Sequence, residues 1–271
     1  MDLAQDYAHC DALLKRDDPD RWLACLFLPS HVRAHVEALY AFSLEIARVR
    51  QLVSEPMLGE MRFQYWREVL AGEHAGDPVA AALTDTIMRC GLSRDPLLGL
   101  IDARLFDLYD TPMPSVAALE AYARATAGNL FFLAASILGG AEERAAEHAG
   151  IAYSVTGLLR ALPWHVAAGQ IYVPLDLLAR HGLLPEDLRS GRDKPALFAA
   201  LTDMRALARR HLQAFFAIDT GKAAPAYLPL ALSAPYLHEM DRPGYDPFVR
   251  RVELSQWRRL WRLWRAARKI G

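Results

Sequence analysis

Arginines are the side chains of this 271-residue sequence whose type and position point most directly to chemistry. Arg48, Arg50 and Arg160 lie within apolar, helix-like stretches, and Tyr40 and Tyr172 lie close to them along the chain. A guanidinium group is a planar fork of N–H donors, so it binds a phosphate or a carboxylate through two hydrogen bonds without a metal ion. These five residues are therefore the candidate contacts for an anion or another ligand. The alternative is that the arginines form salt bridges at the edge of the core, with Glu45 or Glu55 as the nearest partners along the chain.

Other reactive side chains lack the spacing that catalysis needs. Four histidines have no partner at the spacing that is typical of metal ligands, and these are His148, His165, His181 and His238. The serines lack the flanking glycines of a nucleophile elbow, and these are Ser136, Ser154 and Ser233. The sequence therefore favours neither a metalloenzyme nor a serine hydrolase, and it indicates no bound metal or cofactor.

Helices must position any site, because apolar residues recur at intervals of three and four and no useful alternation of period two appears. One helix is predicted to begin at Ser30, as its N-cap, and to run to about Val53, and another is predicted over residues 141–168. Small residues at 125–128 would let a neighbouring helix approach closely. Pro163 removes one backbone hydrogen bond, so we expect His165 to lie off the face that carries Gly157 and Ala161.

Composition limits the class of protein. With 53% hydrophobic residues and a formal net charge of −1, the chain can build a large core and has no overall attraction to nucleic acid. The three cysteines are isolated, which is typical of a reducing compartment. The acidic start resembles no leader peptide, and no stretch reaches the roughly 18 apolar residues of a membrane span. We expect one soluble, cytoplasmic domain over residues 1–271.

The C-terminal helix combines tryptophan with arginine. Trp257, Trp261 and Trp264 recur on one side, and basic residues dominate the other. We expect Trp257 and Trp261 to pack inward as part of a final bundle helix. The alternative is peripheral contact with the inner face of an anionic membrane through the basic side, and the candidate residues are Arg258, Arg262 and Arg265.

The wording Phe27-Leu28-Pro29, Arg33 and Ala38-Leu39-Tyr40-Ala41-Phe42 resembles the squalene/phytoene synthase family of head-to-head prenyl transferases. The resemblance implies an all-α, single-domain helical bundle of the isoprenoid synthase type with a central cavity. In the enzymes, the next turns carry an aspartate-rich motif that binds magnesium. Aligned without a gap, its aspartate positions fall on Ala47, Arg48 and Gln51.

A second stretch, residues 150–174, repeats both the resemblance and the departure from it. Arg160, Gly169, Tyr172 and Pro174 keep the family frame, but the family's asparagine and two aspartates fall on Gly157, Ala161 and His165. A cation about 4 Å from a metal ion would replace attraction with repulsion of several kcal/mol, so Arg48 further opposes magnesium binding. The resemblance therefore implies a degenerate synthase with no catalytic residue and no metal site.

Residues 41–66 and 154–165 are similar to one branch of the family, the assembly factors 6 of respiratory complex I and their relatives. That likeness implies a non-catalytic protein whose partners are complex I subunits or assembly intermediates. The alternative is a prenyl transferase, or an isoprenoid- or lipid-binding enzyme, acting on prenyl diphosphates. Aromatic residues could line a pocket for such a ligand, namely Tyr40, Phe42, Phe63, Tyr65, Trp66, Phe131 and Phe132.

Overall fold

A computed structural model describes residues 2–73, 76–190 and 192–269, and over these ranges the chain is helical, with no strand. The prediction of an all-α fold is therefore confirmed. The α-helices are, in chain order, α1 (Leu3–Asp17), α2 (Pro19–Cys25), α3 (Ser30–Leu52), α4 (Pro56–Ala71), α5 (Pro78–Cys90), α6 (Asp95–Arg104), α7 (Val116–Ala123), α8 (Asn129–Ile137), α9 (Glu143–Ala167), α10 (Leu175–Arg180), α11 (Pro185–Ser190), α12 (Lys194–Phe216), α13 (Ser233–Met240) and α14 (Gln256–Ala267). Three segments with other helical geometry connect them, a 3-10 turn (Leu105–Leu108), a π-helical turn (Arg124–Gly128) and a long 3-10 segment (Gly221–Leu232).

Two long helices, α3 and α9, form the centre of the bundle. Helix α3 packs against α1, α5 and α8, while α9 packs most extensively against α12 and the π-helical turn. Val36, Leu39, Phe42 and Ile46 of α3 are almost completely buried, as their spacing of three and four residues predicts. These two helices carry the two motifs that resemble the family, and both contribute side chains to the wall of one cavity.

Helix α9 and the π-helical turn approach each other closely. A Cβ atom added to Gly150 would lie 2.3 Å from the backbone nitrogen of Gly128, a distance that real Cβ atoms do not tolerate. The expectation that residues 125–128 admit a close neighbour is therefore confirmed, and the neighbour is α9. A pair of glycines at this crossing sets the separation of the two elements.

Pro163 does not end α9. The helix continues to Ala167, and the amide of Ala168 donates a 2.9 Å hydrogen bond to the carbonyl of Trp164. The proline therefore costs one backbone hydrogen bond within an otherwise intact helix. Our expectation that His165 leaves the face of Gly157 is wrong, since both residues line the central cavity.

The tryptophans of α14 point outward. Trp257 is 80% exposed, Trp261 is 48% exposed and Trp264 is 45% exposed, whereas Leu263 is fully buried. The expectation that Trp257 and Trp261 pack inward is therefore wrong. Leu260 and Leu263 lie on the side of the helix that meets the core, and the tryptophans occupy the opposite side. Helix α14 thus packs against α2 and the segment Gly221–Leu232, and it presents its tryptophans and several arginines to solvent.

None of the helices in the described ranges combines the length and the apolar character that a membrane crossing requires. All three cysteines are free thiols, and Cys10 and Cys25 are buried.

Candidate functional site

A cavity of about 210 Å³ lies at the centre of the bundle, between α3, α9 and the π-helical turn. Most of its wall is polar or aromatic, and aliphatic side chains supply a small part. The lining residues are Arg21, Tyr40, Ser43, Arg104, Tyr122, Thr126, Ala127, Leu130, Phe131, Tyr153, Ser154, Gly157, Leu158, His165 and Tyr172. The prediction of a central cavity is therefore confirmed.

Two arginines supply the charge of this cavity. The guanidinium of Arg21 pairs with Asp18, donates to Ser43 Oγ at 3.3 Å and stacks 5.1 Å from the Tyr40 ring centroid. Burial opposes its charge, but the attraction of Asp18 prevails and raises the pKa of Arg21 above its usual value. Neither Asp18 nor any other carboxylate belongs to the lining, so the cavity wall presents cations and hydroxyl groups.

The second arginine belongs to a buried network around Asp107. Arg104 Nη1 donates to Asp107 Oδ2 at 2.8 Å, and the hydroxyls of Tyr122 and Tyr172 donate to Asp107 Oδ1 at 2.9 and 2.6 Å. Gln170 donates through Nε2 to the backbone oxygen of Asp107 at 2.7 Å. Burial raises the pKa values of both tyrosines well above their usual range, so they act as neutral donors. The network holds the Arg104 side of the cavity in one arrangement.

His165 occupies the edge of the same network. Its ring packs 4.7 Å from the Tyr172 ring, and its Nδ1 lies 3.4 Å from the Gln170 side-chain oxygen. Burial lowers the pKa of His165, so the imidazole is neutral at pH 7. A residue that stands at a family aspartate position therefore contributes a neutral ring to the cavity wall.

The structure brings only some of the predicted site residues together. Tyr40, Gly157, His165 and Tyr172 line the cavity, and Ala161 does not. The three positions that replace the first aspartate motif also lie outside the lining, and these are Ala47, Arg48 and Gln51. Of the aromatic residues expected around a ligand, Tyr40 and Phe131 line this cavity, Tyr65 and Trp66 line a separate surface groove, and Phe42 and Phe63 are buried in the core.

Each of the three candidate anion-binding arginines has a carboxylate partner. Arg48 pairs with Asp17 at 3.0 Å, and Arg50 pairs with Asp110 at 3.4 Å. The alternative of core-edge salt bridges is thus the arrangement present, although Glu45 and Glu55 are not the partners. Both pairs are formed between residues distant in the chain, so nearness in sequence is a poor guide to them.

Arg160 belongs to a second buried cluster, centred on Asp20. Arg160 lies 3.1 Å from Asp20 Oδ2 and 3.6 Å from the Tyr236 ring centroid. The Tyr236 hydroxyl donates to Asp20 Oδ2 at 2.7 Å, and Arg259 donates to Asp20 Oδ1 at 2.8 Å. The cluster joins α2, α9, α13 and α14. Arg160 therefore connects helices, and it does not line the cavity.

The magnesium ion that the family resemblance implies for catalysis does not fit this cavity. Magnesium is bound through carboxylate oxygens, and the lining contains neither aspartate nor glutamate. Across the described ranges, no three histidine, cysteine, aspartate or glutamate side chains converge as a metal site would demand. The donors that are present suit a small anion or a polar head group.

Arg21, Arg104, Ser43 and Asp107 were missed by the sequence reasoning. Arg104 and Asp107 follow the apolar residues of α6, and this placement of charge inside an apolar stretch is the signal that could have indicated burial with a partner. Arg21 lies beside the acidic turn that precedes α2, where it looks like an ordinary surface residue.

The family model described as squalene/phytoene synthase matches residues 14–264. Complex I assembly factor 6 of Rattus norvegicus is 31% identical over 256 residues, which cover 91% of this chain and 77% of that protein. The Homo sapiens assembly factor 6 is also 31% identical, over 89% of this chain and 75% of that protein. A phytoene synthase of Thermus thermophilus is 29% identical, over 88% of this chain and 84% of that protein.

Solved structures share the fold. A dehydrosqualene synthase in complex with ligand superposes with a TM-score of 0.80 at 19% identity, over 98% of this chain and 97% of that one. A squalene synthase from Alicyclobacillus acidocaldarius gives a TM-score of 0.76 at 24% identity, over 91% of this chain and 97% of that one. Sequence and architecture therefore agree that the protein belongs to the squalene/phytoene synthase family.

Proposed function

We propose that this protein is a non-catalytic assembly factor for respiratory complex I, the NADH:quinone oxidoreductase. The observation that carries the proposal is that the bundle has the fold of a synthase while the lining of its central cavity contains no carboxylate. In metal-assisted reactions of phosphate esters, the metal ion neutralises the charge that develops on the leaving group. A cavity without ligands for that ion offers no route to ionise a prenyl diphosphate in this way.

The relatives support the same conclusion. Proteins named as complex I assembly factor 6 match at 31% identity, and they match nearly the whole chain. The two stretches that resemble this branch, residues 41–66 and 154–165, belong to α3, α4 and α9. Two of these helices, α3 and α9, also contribute to the cavity wall.

Prenyl transfer is the second candidate function, and one observation favours it. Arg21 and Arg104 present cations to the cavity without a metal, and a diphosphate would complement them. The volume of about 210 Å³ opposes it, because ligand pockets typically enclose about 300 to 1,000 Å³. The same small volume opposes the binding of an isoprenoid in the central cavity. We therefore rank isoprenoid binding below the assembly role.

We also propose that the protein works in the cytoplasm, at the inner surface of the membrane. Support comes from α14, where exposed Trp257, Trp261 and Trp264 adjoin arginines, a composition typical of interfacial helices. Arg258 lies 3.1 Å from Glu239, whereas Arg262 and Arg265 have no carboxylate partner among the described residues. Of the three arginines expected at a membrane, the last two are therefore the stronger candidates.

Flotation with vesicles containing an anionic phospholipid tests the membrane contact. The variant Trp257→Ser/Trp261→Ser should stay with the soluble fraction, while Trp164→Ser, which removes from α9 a tryptophan about as exposed as Trp261, should float like the native protein. Equal flotation of both variants would contradict the contribution of α14.

Affinity purification tests the assembly role. The tagged protein, crosslinked in cells and purified from solubilised membranes, should enrich subunits of NADH:quinone oxidoreductase over the tag alone, as measured by quantitative mass spectrometry. Enrichment of no such subunit, from cells that are assembling the complex, would contradict the proposal.

A further inference from the structure

A second and larger concavity lies outside the central cavity, between the end of α12, the segment Gly221–Leu232 and α14. Its volume is about 570 Å³, which is within the range of ligand pockets. Phe215, Ile218, Leu228 and Leu230 are among its lining, so most of its floor is apolar. We call it the α12/α14 groove.

Three cations border this groove. Arg262 and Arg265 of α14 line one side of the groove together with Lys269, which lies just beyond the end of α14, and the lining contains no aspartate or glutamate. Over the described residues, none of the three has a carboxylate within ion-pair distance. Their neighbours Arg258 and Arg259, by contrast, pair with Glu239 and Asp20. The groove thus combines an apolar floor with unneutralised positive charge at one edge.

Exposed aromatic side chains flank the same edge. Phe216 is 69% exposed and lines the groove. The guanidinium groups of Arg262 and Arg265 lie over the Trp261 ring, 5.3 and 5.4 Å from its centroid. Aromatic residues with arginine are the composition of protein surfaces that meet the head-group region of a bilayer. The opening of the groove therefore lies where a lipid could enter from a membrane.

We propose that the α12/α14 groove binds one acyl chain of an anionic phospholipid, with its phosphate against Arg262, Arg265 and Lys269. The apolar floor would take the chain, and the cations complement the charge of the head group. The site is distinct from the central cavity, because the two share no lining residue. Tyr227 of the groove stacks on Phe131 of the cavity with a centroid distance of 5.5 Å, and this aromatic layer separates them.

The test is calorimetric titration of the full chain with monoacyl phosphatidylglycerol, kept below its micelle concentration. Monoacyl phosphatidylcholine with the same chain is the zwitterionic comparison. Arg262→Gln/Arg265→Gln removes charge from exposed positions, and Ala224→Phe fills the groove. Arg268→Gln is the control, since Arg268 is an exposed arginine at the C-cap of α14 that does not line the groove.

The native protein should bind the anionic lipid more tightly than the zwitterionic one. Loss of each arginine should weaken anionic binding by about fivefold, the equivalent of about 1 kcal/mol per charge. Ala224→Phe should lose both lipids, and Arg268→Gln should bind like the native protein. Thermal unfolding identifies any variant that fails to fold. If Ala224→Phe does not fold, the affinity of Arg262→Gln/Arg265→Gln for the anionic lipid decides the test.

Equal affinity for the two lipids, or unchanged affinity in Arg262→Gln/Arg265→Gln, would overturn the proposal. Tighter binding of farnesyl diphosphate than of the phospholipid, lost in the same variants, would also overturn it and assign the groove to isoprenoids. Neither result depends on complex I, so failure here is distinguishable from failure of the assembly role.

Discussion

Asp107 accepts hydrogen bonds from Arg104, Tyr122 and Tyr172 in the interior of the bundle. Asp107→Asn would leave the guanidinium of Arg104 buried without its counter-charge. Removing one partner of a buried ion pair costs about 3 kcal/mol or more. We therefore predict that this variant lowers the free energy of unfolding by that amount in urea denaturation.

The matched control for Asp107 is Asp102→Asn. Asp102 is 61% exposed and pairs with Arg67 at 2.7 Å, and an exposed pair is worth about 1 kcal/mol at most. A loss of the same size in both variants would show that the Asp107 network has no special role in stability.

Glu37 gives a prediction of pH dependence. Burial raises the pKa of Glu37 to about 7, with a further increase from Asp11 and an opposing effect of Arg33. The folded protein therefore holds this proton more tightly than the unfolded chain, in which the pKa of a glutamate is about 4.3. The stability that the protonated group contributes is full below the unfolded value and is lost as the pH rises through about 7.

Glu37→Gln removes this loss because the amide stays neutral. Its free energy of unfolding should exceed that of the native protein at pH 8 by about 2 kcal/mol, and the difference should shrink toward pH 5. Urea denaturation at both pH values measures it, with the exposed Glu186→Gln as control. A difference that does not change with pH would contradict the shifted pKa.

Some site residues could be predicted from the sequence and others could not. Tyr40, Gly157, His165 and Tyr172 lie in motif frames of the family, and the cavity wall includes all four. Arg21 was missed because nothing in its local sequence sets it apart, whereas the apolar residues before Arg104 offered a signal that was not used. Tyr172 meets Asp107 across 65 positions of the chain, so only the packing of the bundle brings the two together.

At the scale of elements, the crossing of α9 and the π-helical turn depends on glycine. Gly150→Ala would place a Cβ atom 2.3 Å from the Gly128 nitrogen and force the two backbones apart. Overpacking of this kind costs about 1 to 3 kcal/mol. We predict a loss of that size in the free energy of unfolding.

Gly157→Ala is the control for the same helix. No atom lies within 4 Å of a Cβ added there, although Gly157 lines the cavity. An alanine in a helix interior is favoured over glycine by about 0.5 to 1 kcal/mol, so this variant should be more stable than the native protein. Destabilisation of both variants to the same extent would remove the argument for a specific close approach.

Helix positions followed from the sequence more closely than helix orientation did. The spacing of apolar residues in α3 predicts its bounds to within a few residues, because the core contacts nearly every turn of it. The outward side of α14 was missed, because a row of tryptophans satisfies the pattern of a buried face. Leu260 and Leu263 supply the inner contacts, and the local sequence alone does not rank them above the tryptophans.

At the scale of the whole molecule, the bundle shares the fold of solved synthases, and the wall of its central cavity has no carboxylate. Purified protein should form neither squalene nor phytoene from farnesyl or geranylgeranyl diphosphate with magnesium and NADPH, because the cavity wall has no carboxylate to hold the metal. Radiolabelled substrate and a boiled-protein blank make the assay sensitive. Product above the blank would place prenyl transfer ahead of assembly.

The most direct test of the central claim is NADH:quinone oxidoreductase activity in membranes from a strain that lacks this protein. We predict low activity and a reduced level of assembled complex, both restored by the native gene. The variant with Arg258, Arg262 and Arg265 changed to alanine should restore less, since it removes the basic side of α14. Normal activity and normal complex levels in the deletion strain would contradict the assembly role.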